Sequence, residues 1–115
     1  MGVFDSVTSV ALNSALDGLA ARQTAIADNV ANLQTPNYQA KRVQFEDALK
    51  AAVAEGSGAV TATTSRSLEP TDTNGNNVNL DTETVSNVDT NLRYSLATQA
   101  VSGQFSAIRA AMKTS

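Results

Sequence analysis

The chain has 115 residues, a formal net charge of −3, and neither cysteine nor histidine. That length holds one domain, and the composition excludes disulfides, thiolate metal sites and any histidine-dependent catalytic triad. The acidic balance gives no support to nucleic-acid binding, which uses a basic face. With aromatics at 4% and no tryptophan, a large globular core is not expected.

The opening MGVFDSVTSVAL has no basic stretch followed by an uninterrupted apolar run, so no cleavable secretory signal is read there. The first strong pattern is Leu12, Leu16, Leu19, Gln23, Ile26, Val30 and Leu33. Their alternating spacing of four and three is a heptad seam with one polar member, Gln23. Ala11, Ala15, Ala20, Ala25, Ala27 and Ala31 flank it. Alanine is the best helix former, and small side chains let a neighbouring helix approach. The pattern predicts a helix over 6–33, roughly 40 Å long. Val3, Val7 and Val10 lie partly off the seam, so this helix has two apolar faces and more than one packing partner is expected.

The helix runs into DNVANLQTPNY at 28–38. Pro36 disfavours helical geometry at Thr35, which ends the helix near Leu33 or Gln34. Asn29 and Asn32 share a face one turn apart, and Asn37 tolerates left-handed geometry. With Thr35 and Tyr38 these residues form a defined corner that sends Tyr38, Lys41, Arg42, Val43 and Phe45 in a set direction. FEDALKAAVA at 45–54 predicts a short helix stopped by Gly56. From 56 to 77 the chain is GSGAVTATTSRSLEPTDTNGNN, with Asn74-Gly75 as a turn signal. So little apolar surface predicts a segment that is mobile in an isolated subunit.

The C-terminal part is helical again, predicted over 80–112 and roughly 50 Å long. Asn79 is its cap, Asp81 and Glu83 are helix-start charges, and Arg109 with Lys113 sit in the last turn, each on the favourable end of the dipole. Val85, Val88, Leu92 and Leu96, continued by Ala100, Gly103, Ala107 and Ala110, make one stripe. Val101, Phe105, Ile108 and Met112 make a second. The 72–81 stretch lacks the ligand spacing of a calcium loop, and no metal, cofactor or small-molecule substrate is expected. The fold class read from these elements is all-α. Two long terminal helices form a coiled-coil pair around an extended, irregular middle, with divisions at 1–49, 50–77 and 78–115. The surplus apolar faces point to a subunit that becomes rigid mainly on assembly.

Several stretches carry a resemblance. LDGLAARQ at 16–23, RQTAIADNVAN at 22–32, TPNY at 35–38 and FEDAL at 45–49 resemble the N-terminal motif of bacterial flagellar rod, hook and hook–filament junction proteins. That motif runs close to ALDGLxARQxAIAxNIANxxTPxYKA. GNNVNLDTE at 75–83, NLRY at 91–94 and LATQAVSGQF at 96–105 look most like the proximal rod subunit. Thr84, where relatives commonly carry Met, and Leu33-Gln34 depart from the pattern. The resemblance covers roughly two-thirds of the chain. Without a large central domain, the chain is similar to the short rod subunits.

The resemblance implies a structural, non-enzymatic subunit of the basal body rod, which transmits torque and encloses the export channel. It implies export by the flagellar type III apparatus without signal cleavage, and a place in the periplasmic rod. Partners would be copies of the chain, other rod subunits and, at the rod base, the membrane ring and export gate. Leu12, Leu16, Leu19, Gln23, Ile26, Val30, Leu33, Val85, Val88, Leu92, Leu96, Phe105 and Ile108 are the expected packing and assembly residues. Asn29, Asn32, Thr35, Pro36, Asn37 and Tyr38 are the turn motif. Another short rod subunit, or a small helical export chaperone or adaptor, is the alternative.

Overall fold

A computed structural model describes the backbone of residues 3–114 and the side chains of residues 7–113. The order of elements is α1 (Val3–Ala31), β1 (Lys41–Gln44), α2 (Glu46–Ala54), β2 (Thr63–Arg66) and α3 (Leu80–Thr114). The side chain of Val3, one of the expected apolar set, lies outside the described residues. The molecule is elongated, 66 × 25 × 15 Å along its principal axes. No described helix is long and apolar enough to cross a membrane.

The two terminal helices run antiparallel. Ser9 Oγ donates to Gln104 Oε1 at 3.1 Å, Gln23 Nε2 to Asn91 Oδ1 at 3.0 Å, and Asn29 Nδ2 to Glu83 Oε1 at 3.1 Å. Later positions on α1 thus meet earlier positions on α3. Asn79 caps α3: its Oδ1 accepts from the backbone N–H groups of Asp81 and Thr82 at 3.0 and 3.2 Å. Those are two of the N–H groups that a helix start leaves without partners.

The fold is mostly helical rather than all-α. β1 and β2 form an antiparallel ladder in which Lys41 faces Arg66 and Gln44 faces Thr63. Every residue of β2 is exposed, so TTSR shows no alternation of apolar and polar positions, the usual mark of a half-buried strand. The ladder and the backbone bond from Ser67 N to Ala40 O at 2.7 Å hold it in place.

The core is small. Leu19, Ala25, Val43 and Phe45 form its centre, with Ala15, Leu49, Val60, Tyr94 and Ala97 among the residues packed around it. α1 turns one side to α3 and another to β1 and α2, while Val7 is half-buried and Val10 exposed. The face α3 turns to α1 is different in character. Glu83 and Thr90 are buried there, and Ser86, Tyr94, Ala97, Val101 and Gln104 are half-buried. Their spacing of three and four residues keeps them on one side of a 3.6-residue helix.

Candidate assembly surface and helix-exit corner

The corner begins where α1 runs out of its own hydrogen bonds. Asn32 Nδ2 donates to Asp28 O at 2.8 Å, and Thr35 Oγ1 donates to Asn32 Oδ1 at 3.0 Å. Pro36 lies exposed at the tip. Asn37 has φ 63°, the left-handed region. Its N–H reaches across to Asn74 O at 2.9 Å. Gly75, with φ 82°, lies against Asn37 so closely that an added Cβ would collide with the asparagine. Glycine is required there on both counts.

Asn29 is the hub. It is fully buried. Its Nδ2 donates to Lys41 O at 3.0 Å and to Glu83 Oε1 at 3.1 Å. Its Oδ1 accepts from Lys41 N at 2.8 Å and from the Tyr38 hydroxyl at 3.3 Å. An asparagine amide has two donors and an acceptor with two lone pairs, so its capacity is filled. The amide reproduces a strand partner for Lys41 and so ties the edge of β1 to α1.

Glu83 lies in the first turn of α3, as expected of a helix-start charge, and it is 1% exposed and points into this hub. Arg42 Nη1 donates to its Oε1 at 2.7 Å, while Glu83 Oε2 is buried without a partner. Arg42 also reaches Glu69 at 3.5 Å. The Lys41-Arg42 pair therefore divides. Lys41 pairs with Asp28 at the surface, and its ammonium is held above its usual range by that hydrogen bond. Arg42 holds the one carboxylate that the fold buries here.

Two residues that sequence reasoning missed complete the corner. Asn76 Nδ2 donates to Asn32 O and Thr35 O, both at 2.8 Å, and so satisfies carbonyls of the turn after α1. Asn77 Oδ1 accepts from Ala40 N at 2.6 Å, and its Nδ2 donates to Ser67 O and Glu69 O at 3.1 Å each. Both side chains are buried. They lie inside the stretch expected to have little to bury. Their burial rests on hydrogen bonds rather than apolar area, and no hydropathy pattern marks that in advance.

A second junction fixes α2. Gly18 on α1 leaves space for the Phe45 ring; a Cβ at Gly18 would lie 2.5 Å from Phe45 Cδ1. Arg22, one turn later, places its guanidinium 5.1 Å from the centre of that ring. It also donates to both carboxylate oxygens of Glu46, at 2.6 and 2.7 Å, and to Val43 O at 2.7 Å. The hydrogen bonds from Arg22 bring the Glu46 carboxyl down to about 2 and raise Arg22 in turn. Arg93 approaches Glu46 at 3.7 Å from α3, so one carboxylate touches side chains from both long helices.

The expected packing residues divide in two. On α1, Leu19 and Ile26 are buried, Leu12, Leu16, Gln23 and Leu33 half-buried, and Val30 exposed. On α3, Val85 is 70% exposed, Val88 65%, Leu92 59%, Leu96 56%, Phe105 60% and Ile108 36%. At about 100° per residue, Val85, Val88, Leu92 and Leu96 lie nearly opposite the Thr90 face that meets α1. The structure thus gathers the turn motif into one network and leaves the α3 stripe uncovered. No group of three potential metal ligands occurs among the described residues.

An elongated antiparallel helix pair, with a rigid polar corner and an uncovered apolar stripe, has the form of a structural subunit. No family model matches the chain. Curated proteins do. It is 30% identical over 121 residues to the flagellar basal body rod protein FlgB of Borreliella burgdorferi, covering 85% of this chain and 90% of that protein. It is 33% identical over 112 residues to FlgB of Escherichia coli, covering 78% and 81%. To FlgB of Bacillus subtilis it is 27% identical over 112 residues, covering 85% and 87%. The chain belongs to the FlgB family of flagellar basal body rod proteins, the structural subunits of the rod.

Proposed function

We propose that this chain builds the proximal end of the rod, beside the membrane ring and the export gate, and there transmits torque and encloses the export channel. In this reading it reaches the periplasm through the flagellar type III apparatus without signal cleavage. It assembles with copies of itself and with other rod subunits, and α1 and α3 work as a coiled-coil pair in the rod wall. It has no catalytic role.

The observation that carries the reading is the apolar stripe of α3, which the chain itself does not cover. Four large aliphatic side chains in register on one helix face are costly to leave in water. In a rod family, neighbouring subunits are the natural cover. The small core fits an exported chain that must unfold to pass a channel, since little buried apolar surface then opposes unfolding. A small export adaptor has no comparable support, because the relatives are named as rod proteins.

The test is Leu92→Asp in cells. The variant is expected to be synthesised and exported but absent from purified rods, with loss of motility. Rods that contain it at the normal level would refute the assembly role of the stripe. Imaging of labelled chain in basal bodies checks the position: label away from the rod base would remove the proximal assignment.

A further inference from the structure

Asn74-Gly75 is the one Asn-Gly pair in the sequence, and it stands where the helix-exit corner closes. Asn74 is exposed. Such a pair has a reaction of its own. The backbone nitrogen of Gly75 attacks Cγ of the Asn74 side chain. A C–N bond forms, the side-chain nitrogen leaves as ammonia, and a five-membered succinimide results. Water then opens the ring at either carbonyl. Cleavage at Cγ leaves an ordinary aspartate. Cleavage at the former backbone carbonyl leaves an isoaspartate, whose main chain runs through Cγ and is longer by one methylene. Glycine favours the attack, because no Cβ shields its nitrogen or restricts its backbone.

The fold opposes that attack at each group it uses. Gly75 N donates to Asp72 O at 2.9 Å, which holds the proton of the nucleophile, and Asn74 O accepts from Asn37 N at 2.9 Å. The peptide unit between 74 and 75 is thus tied on both sides. Asn74 Oδ1 accepts from Asn76 N at 3.1 Å, which fixes the side-chain amide. Asn76 is itself buried and anchored on Asn32 O and Thr35 O. Drawing Cγ onto the Gly75 nitrogen strains these bonds, and they exist only while the corner is closed. The isoaspartyl product is excluded too. Gly75 lies so close to Asn37 that a Cβ would collide with it, and an added main-chain methylene enters the same contact.

We propose that Asn74 is a deamidation site that the closed corner protects, and that the isoaspartyl product cannot close the corner again. Water is the only co-reactant. The modification reaches a chain that is unfolded or locally open at 72–77 and spares the closed one. It is independent of the assembly that the chain joins.

The full chain is incubated in mildly alkaline buffer, either native or unfolded in urea. Mass spectrometry follows the conversion of amide to acid at Asn74, and isoaspartate is scored by its methylation by isoaspartyl methyltransferase. A synthetic peptide of residues 70–80, run in both buffers, corrects for any effect of urea on the chemistry. Native chain is expected to convert at least about tenfold more slowly than unfolded chain, as for a segment open less than about one-tenth of the time. Equal rates would overturn the protection. No conversion in urea, or conversion that persists in Asn74→Gln, would overturn the site. In purified isoaspartyl chain, the Asn37 N–H is expected to exchange with solvent at least about tenfold faster than in unmodified chain. Unchanged exchange would show that the product still closes the corner and would overturn that part of the proposal.

Discussion

The corner between α1 and β1 and the outer half of α3 reverse the usual arrangement in opposite ways. At the corner, asparagines and a carboxylate are buried; the asparagine amides are hydrogen-bonded inside the chain, and the carboxylate of Glu83 is paired through Oε1 and not through Oε2. Along α3, valines and leucines stand in water, and a row of small and polar side chains faces inward. Buried polar groups are tolerated where the partners are fixed in place, since an unmet group costs about 1–3 kcal/mol. Exposed apolar rows persist where another surface will cover them. The corner is therefore finished within one molecule, and the α3 stripe is not.

The comparison is broken first at Arg42. Arg42→Ala leaves Glu83 buried with no counter-ion, a change that typically destabilises by about 3–5 kcal/mol. Urea denaturation of the purified chain is expected to show a fall of that order. Adding Glu83→Leu to Arg42→Ala is expected to recover much of it, because the uncompensated charge is then gone. If Arg42→Ala unfolds at the wild-type midpoint, the corner is not finished internally.

Asn29→Ala comes next. It removes four hydrogen bonds and strands the backbone of Lys41, so a loss of about 2–4 kcal/mol is expected from two or more unmet groups. Hydrogen exchange should then rise at Lys41 before it rises in the middle of α1. Gly18→Ala tests the second junction. The new methyl meets the Phe45 ring, and overpacking of this kind costs about 1–3 kcal/mol.

Glu46 gives a smaller, pH-dependent effect. Its carboxyl lies at about 2 in the folded chain against an ordinary 4.5. A depressed folded value means that the unfolded chain takes up the proton first as the pH falls. The Arg22–Glu46 pair therefore adds its full stability above pH 4.5 and loses it progressively between 4.5 and 2. The Glu46 side chain is 40% exposed, so solvent screening keeps the effect modest. Arg22→Met should flatten this part of the pH–stability profile; an unchanged slope would show that Glu46 gains nothing from the pair.

The smallest effect sharpens the contrast most. Leu92→Asp in the isolated chain is expected to shift stability by no more than about 0.5 kcal/mol, the usual range for a surface site. The same substitution is expected to abolish incorporation into rods. A large loss of monomer stability would mean that the stripe already packs within the chain.

Much of the secondary structure is legible in the residues alone, because its causes are local. An alanine-flanked heptad seam predicts the first long helix and two apolar stripes the last, Pro36 ends the first near the observed Ala31, and Asn79 starts the last at Leu80. FEDAL predicts α2 within a residue of its observed start. These signals act over a few residues and need no knowledge of what lies opposite. The apolar rows are equally visible, but a row does not say whether its cover comes from the same chain.

That choice, and the distant hydrogen bonds that close the corner, belong to the tertiary structure. The β1–β2 ladder joins residues 19 to 25 positions apart, and TTSR carries no pattern of its own. Glu83 has the position of an ordinary helix-start charge, yet the arrival of Arg42 and Asn29 draws it inside. Asn76 and Asn77 look like loop residues until the carbonyls of 32, 35, 67 and 69 converge on them. α3 presents its Thr90 face to α1 rather than its aliphatic one, with Glu83 hydrogen-bonded to Asn29 at one end of that face and Tyr94 and Ala97 packed on the core further along. Local propensity shapes each element from its own residues, whereas the pairing of distant polar groups decides how the elements are turned toward one another.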